Sequence, residues 1–409
     1  KLRFEVAGGA GGGSAQVAGG SGALVTGEIP VKAGQVVELV AAAGGVAYLA
    51  SEPGVDSAAI WQTRPATGGK GYGNGGDVNE QPVPADAKAR VEANAPMPSD
   101  MKRYLYGGSG GGSSALIIDG TPIAVAGGGG GAGIRTQPGT NNMPSSSPFY
   151  NPKAVNASTT SLGDTAVKSV LPAGASASAA AGGDAETSIS HYTVLKPYAN
   201  ERTAMKVAGG KGGNGGVGGA GGEQPLLYND ANFYGVLGFT SQNKQELFSS
   251  ATAGDKGGSG FDGKGADGVF AYSYQIDNND ISKLEIVHQT NPLNLNEKRP
   301  YSEKDTRKSF NGYQTVVSAG GGAGYGGGGS GAARGLSSII TSQKWNANEE
   351  PTRYRQNVSA LLQAGAGGAG GSYVSPTVPN GEISSANNAA KQSGVRNPGY
   401  VKVTLCTRS

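Results

Sequence analysis

Apolar and polar residues alternate at both ends of the chain. In KLRFEV, Leu2, Phe4 and Val6 alternate with Arg3 and Glu5; in YVKVTL, Val401, Val403 and Leu405 alternate with Lys402 and Thr404. A period of two gathers the apolar side chains on one face of a strand. Both segments are therefore predicted as half-buried strands that pair to close one domain. The stretch ALVTGEIPVKAGQVVELV, from Ala23, offers two β-rich runs around a turn at Lys32-Ala33-Gly34. In SSALIIDGTPIAVAGGGGG, Asp119-Gly120 separates two apolar runs. This is a strong hairpin signal, because a type I′ turn needs positive φ at both central residues. Helical periodicity is scarce; DISKLEIVHQ, from Asp280, is the best candidate and lacks a convincing apolar stripe.

Between these flanks glycine replaces the hydrophobic pattern, in tracts near 8–22, 68–76, 107–133, 209–222, 254–268, 320–331 and 365–371. The tract GGKGGNGGVGGAGG, 209–222, repeats two glycines and one other residue. A period of three fits neither α-helix nor strand. It fits the left-handed polyproline II helix, which turns once in three residues and rises about 3.1 Å per residue. On such a helix Lys211, Asn214, Val217 and Ala220 share one edge. The other edges carry only glycine, including Gly212, Gly213, Gly215, Gly216, Gly218 and Gly219. Bare edges let neighbouring backbones approach until N–H and C=O groups bond between helices. AGGGGGAG, 126–133, holds Gly127, Gly128, Gly129, Gly130 and Gly131 and no side chain beyond methyl, so it is expected innermost. AGAGGAGGS keeps Ala366, Ala369 and Ser372 on the third edge. GDKGGSGFDG has Gly254, Gly257, Gly260 and Gly263 in step and reads as an outer helix, while Tyr325 stands alone in AGGGAGYGGGGSG.

The predicted fold is mostly irregular and β. One domain, 1–409, is expected to hold a bundle of left-handed polyglycine II (polyproline-II-type) helices with short β-hairpins, long surface loops and little α-helix. Loop insertions are expected near 136–205, 225–253, 269–315, 334–363 and 373–398.

Composition sharpens this picture. The 409 residues include 74 glycines and 21 prolines, which alone would suggest low complexity. Disorder, however, usually goes with high net charge, and this chain is 15% charged with a net charge of +3. Ordering each glycine costs about 0.5–1 kcal/mol more than ordering alanine. Dense hydrogen bonding and close packing between helices must offset that cost. No basic block gives a nucleic-acid footprint, and no apolar run is long enough for a membrane span. Cys406 is the single cysteine, so neither a disulfide framework nor a multi-cysteine metal site is available. The start at Lys1, without Met or a signal-like segment, is expected to be processed or truncated.

Catalytic patterns are weak. Residues 258–264 match the first seven positions of a phosphate loop, but Gly265 replaces the hydroxyl residue that would ligate magnesium. GGSGG strings imitate a nucleophile elbow without its strand-to-helix setting. His191 and His288 are the only histidines, and each reads as an ordinary packed or surface residue. Asp255, Asp262 and Asp267 are carboxylates a calcium ion would use, yet their spacing misses the calcium-binding nonapeptide repeat. No catalytic residue and no cofactor is expected, calcium being the one alternative. Recognition is the better use of this sequence. The inserts carry Tyr150, Tyr192, Tyr198, Tyr234, Trp345 and Tyr354, and Tyr, Asn, Ser and Gly make adaptable contact loops.

The tracts resemble the glycine-rich polyglycine II family, which includes tip adhesins of phage tail fibres, the glycine-rich ectodomain of anaplastic lymphoma kinase and bacterial glycine-rich surface proteins. Three segments carry the resemblance: VAGGAGGGSAQVAGGSGALVTGEIPVKAGQVVELVAAAGG, GGSGGGSSALIIDGTPIAVAGGGGGAG, and GAGGAGGSYV with the closing NPGYVKVTL. It implies a rigid scaffold on an extracellular or virion surface, with loops that bind a cell-surface receptor. The alternatives are a subunit of an extracellular filament, joined to neighbouring fibre subunits, and an ice-binding protein. Lys211 and Asn214 on the exposed edge argue against the last, which wants small residues there. Oligomers are compatible with either of the first two readings.

Overall fold

The computed structural model describes residues 1–13, 18–48, 50–51, 60–61, 64–82, 103–137, 153–155, 179–180, 185, 188–196, 199–225, 250–275, 312–343, 354–389 and 394–406. Among them the regular structure is all β, with no α-helix. The candidate helix in DISKLEIVHQ lies outside the described residues.

The two alternating ends do pair. Leu2–Ala7 and Tyr400–Leu405 are antiparallel neighbours, with Leu2 opposite Leu405, Phe4 opposite Val403 and Val6 opposite Val401. Ala23–Ile29 and Glu382–Ser385 complete a four-stranded antiparallel sheet on the other side of Leu2–Ala7. A second sheet runs in the order Ala179–Ala180, Ser372–Val374, Thr121–Ala126, Ser114–Ile118, Val37–Val40. Its central hairpin turns at Asp119 (φ 49°) and Gly120 (φ 77°), the two positive angles that the Asp-Gly pair favours. The runs on either side of Gly34 (φ 90°) do not pair with each other. Ala23–Ile29 joins the first sheet and Val37–Val40 the second, so that turn links two layers. Leu2, Phe4, Val6 and Val25 from one layer pack with Leu116, Ile118 and Ile123 from the other.

Segments expected as loop insertions leave the glycine layers as paired strands. Ala333–Gln343 and Tyr354–Ala364 form a long hairpin, as do Ser188–Lys196 and Ala199–Val207. Phe270–Gln275 pairs with Gly312–Val317, which also lies parallel to Arg103–Tyr106. At the roots of these strands Leu105, Ile134, Ala271, Val316 and Leu362 form a second apolar cluster. Arg334 is buried there opposite Gln363, and burial pushes its guanidinium down to about 10.

The glycine segments form neither α-helices nor regular β ladders. Each bonds through its backbone to several others, and the bonds recur in steps of three residues. Segment 126–133 is the clearest case. Gly128 and Gly131 donate to Ala323 and Gly320, while their carbonyls accept from Gly370 and Gly367. Gly127 and Gly130 accept from Ala23 and Gly20, and Gly129 and Ala132 accept from Gly111 and Gly108. Gly129 also donates to Gly9. Five surrounding segments are thus bonded to one buried strand of glycine, whose residues are all buried, as its composition predicts.

Most tracts also fold back on themselves. Residues 8–11 pair with 20–23, 69 with 75, 258 with 264, and 319–322 with 328–331. The 209–222 tract does the same, which corrects its reading as one continuous helix. Lys211 donates to Ala220, Asn214 and Val217 exchange two bonds, and Gly215 and Gly216 turn the chain at φ 57° and 78°. A two-glycine turn of positive φ uses the same letters as a bare helix face. Lys211, Asn214, Val217 and Ala220 are all exposed, and the turn pairs the first with the last and the middle two with each other.

Candidate recognition surface

Three of these fold-backs each place one aromatic residue at one end of the glycine layers. Tyr72 sits between Gly71 and Gly73, where its N–H donates to the Ser113 carbonyl (2.8 Å) and Ser113 Oγ accepts from the Gly73 N–H (2.8 Å). Phe261 follows Gly260 (φ 103°) in a turn closed by the Gly258 N–H on the Lys264 carbonyl (2.7 Å). Tyr325 precedes Gly326 (φ 80°). The turns interlock through their main chains: Gly260 donates to Gly216, Gly326 to Gly260, and Tyr325 to Gly371. Tyr373, two residues beyond Gly371, brings a fourth ring to the same place.

The rings touch. Phe261 stacks on Tyr325 with centroids 4.7 Å apart and planes at 23°; Tyr373 meets Phe261 edge-on at 5.0 Å and Tyr325 at 5.2 Å. Tyr72, Phe261 and Tyr373, with Val40, lie over buried Ala115, Ile117 and Val125. All four rings are half-buried. The Tyr72 hydroxyl is held above its ordinary pKa, first by burial and then by the nearby charges of Asp262 and Glu38. The apex therefore combines aromatic surface with two exposed carboxylates. It can present flat apolar area and accept hydrogen bonds at its rim, the pairing that makes aromatic residues useful in contact surfaces.

A search of family models, curated proteins and solved structures finds no match to this chain.

Of the contact residues expected from sequence, Tyr192 lies on Ser188–Lys196 opposite Thr203, and Tyr354 lies on Tyr354–Ala364 opposite Gln343. These two are on different hairpins, neither in the sheet that carries Tyr373. Tyr150, Tyr198, Tyr234 and Trp345 are outside the described residues. Sequence reasoning sought aromatics in the inserts and passed over those inside the tracts. The signal was present: GGKGYGNGG, GSGFDG and AGYGG each hold one ring in a run of small residues.

The other chemical candidates have ordinary settings. Asp267 Oδ1 accepts from the Asp77 N–H (2.7 Å) and Oδ2 pairs with the Lys264 ammonium (2.8 Å). The Asp255 N–H donates to Ser330 Oγ and its carbonyl accepts from the Ser330 N–H, and Asp262 borders Tyr72. Among the described residues no three His, Cys, Asp or Glu side chains gather as a metal site. The phosphate-loop look-alike 258–264 is the Phe261 turn itself. His191 lies on a strand opposite Ala204, and His288 is outside the described residues. No helix of the described residues is long and apolar enough to cross a membrane.

The predicted scaffold glycines vary in how tightly they are enclosed. A Cβ on Gly127, Gly128, Gly129, Gly130, Gly131, Gly213, Gly218 or Gly219 would run into backbone of a neighbouring segment. On Gly216 it would meet the Tyr325 ring at 2.8 Å, and on Gly215 it would meet nothing within 4 Å. Gly212 is half-buried beside them.

Proposed function

We propose that the glycine segments are polyglycine II helices and that they serve as the rigid scaffold of a non-enzymatic, adhesin-like protein on a cell or virion surface. The observation that carries the scaffold reading is the three-residue step of the inter-segment hydrogen bonds. Threefold helices repeat their outward N–H and C=O directions at that interval, and α-helices and strands do not. Enclosure of the glycine Cα atoms by foreign backbone supports the same reading.

In this proposal the aromatic apex contacts the receptor. Rings borne on turns that are locked to one another lose little entropy on binding, which favours them as contact residues. Two experiments test the two halves separately. Vibrational circular dichroism of the purified chain should carry a left-handed threefold-helix signature, and its absence would remove the scaffold reading. Fluorescently labelled protein should bind target cells, and Tyr72→Ala should abolish binding while leaving the melting transition in place. Binding that survives Tyr72→Ala and Tyr325→Ser alike would remove the apex from the proposal.

A further inference from the structure

The sandwich formed by these first two sheets has one open side. Its open side is bounded by two edge strands, Tyr400–Leu405 of the first sheet and Val37–Val40 of the second. Seven large hydrophobic residues are exposed among those described, and five of them are here: Val36, Val37, Leu39, Tyr400 and Leu405. Leu405 is 65% exposed although its register partner Leu2 is buried. Val37 and Leu39 stand opposite Ile118 and Leu116, so they extend the same inner face.

Hydrogen-bond parity shows which backbone groups this edge offers. Lys1 and Cys406 exchange bonds (3.0 and 2.8 Å), so Arg3–Thr404 and Glu5–Lys402 are the next bonded pairs in the ladder. Val401, Val403 and Leu405 are the alternate residues. Their N–H and C=O groups point away from Leu2–Ala7, toward the open edge. Edge strands are commonly guarded by proline, bulges or projecting lysine. This strand has no proline and no bulge, and the ammonium of its one lysine, Lys402, turns to Glu5 (3.5 Å) in its own sheet.

We propose that a second copy of this chain pairs here, Tyr400–Leu405 against Tyr400–Leu405, antiparallel about a twofold axis at Val403. This register sets Val403 opposite Val403 and Val401 opposite Leu405, all with outward-pointing backbone groups. It sets Lys402 opposite Thr404, so no like charges face each other. A one-residue slip turns apolar side chains to the wrong face. Centring the axis on Lys402 opposes two ammonium groups, and centring it on Thr404 calls on backbone groups already bonded to Leu2–Ala7. The pairing joins two four-stranded sheets into one and covers Leu405, while Val37 and Leu39 face their counterparts beneath. The contact is isologous, so assembly stops at two copies and does not grow into a filament.

The test uses the full chain under reducing conditions. Sedimentation equilibrium should give twice the chain mass, and Leu405→Lys should halve it with circular dichroism and melting unchanged. As a second readout, Val403→Cys combined with Cys406→Ser should oxidise to a covalent dimer. Bonded antiparallel pairs hold Cα atoms about 5.5 Å apart, within disulfide reach. A chain that stays monomeric at every concentration overturns the proposal. So does a dimer indifferent to Leu405→Lys, an open-ended series of larger species, or a Val403→Cys variant that does not cross-link.

Discussion

Replacing Gly130 with alanine asks the glycine core to accept one methyl group. The new Cβ would lie 2.5 Å from the Gly367 carbonyl carbon and 2.8 Å from Gly368 O, with Gly367 O nearer still. Neither neighbour is a side-chain end that can swing aside, so a backbone segment must move. The segment that moves is bonded to the one it leaves: Gly367 donates to Gly131 (3.0 Å), and Gly20 donates to Gly130 itself (2.8 Å). Overpacking costs about 1–3 kcal/mol, and each buried polar group left unsatisfied about 1–3 kcal/mol more. With one such group left unsatisfied, a loss of about 2–6 kcal/mol follows, against a total stability of about 5–15 kcal/mol for a typical protein. A flexible tract predicts the opposite sign. There, Gly→Ala restricts only the unfolded chain and stabilises by about 0.4–1 kcal/mol. Gly120→Ala is the control, since nothing lies within 4 Å of its Cβ and only the positive φ resists substitution. Its cost should be about 1–2 kcal/mol. Guanidinium unfolding followed by tyrosine fluorescence compares the two variants with the native chain. If Gly130→Ala is no less stable than Gly120→Ala, the interlocked core is refuted.

Two further predictions come from the edges of the structure. Asn388 accepts from Ser21 Oγ (3.1 Å) and the Gly22 N–H (2.9 Å) and donates to the carbonyls of Gly8 (2.9 Å) and Pro398 (3.3 Å). Asn388→Ala should cost about 2–3 kcal/mol and speed hydrogen exchange at the Gly22 amide, whereas a purely decorative loop would change neither. Asp119 accepts from the Val36 N–H (2.8 Å) and from Gln35 Nε2 (2.9 Å), and these bonds, the Val36 one first, hold its carboxyl below the usual aspartate value. Its contribution is therefore complete above the unfolded-state pKa and is lost as pH falls through the lower folded value. Asp119→Asn should flatten that part of the acid-unfolding profile, and a carbon-detected titration of the native carboxyl should show the depressed midpoint.

Parts of this fold are legible in the sequence because the letters determine the geometry there. Asp119-Gly120 specifies a turn that few other pairs adopt, and the alternation at Leu2–Ala7 and Tyr400–Leu405 fixes which faces meet. The three-residue step is legible for the same reason. What escaped is the course of each tract, since Gly215 and Gly216 turn the chain without breaking the written period. Partner choice escaped too: Gly128 bonds to Ala323 and Gly370, and glycine carries no mark that distinguishes one neighbouring backbone from another. The aromatic apex was legible in principle. A ring in a tract of otherwise bare residues has nowhere to go but a turn or an outer face, and Tyr72, Phe261 and Tyr325 occupy turns.

The make-up of segment 126–133 and its five neighbours also governs the response to temperature. Unfolding those segments exposes peptide groups far more than hydrocarbon. Hydrated hydrocarbon raises the heat capacity, and hydrated polar groups lower it by roughly half as much per unit area. The glycine layers therefore add little to the heat-capacity change of unfolding, or subtract from it. A small heat-capacity change flattens the stability curve, moving cold denaturation to lower temperature and slowing the decline on warming. The glycine layers, almost without side chains, thus contribute a stability that varies little with temperature, and the stronger temperature dependence is left to the apolar clusters around Phe4 and Leu362.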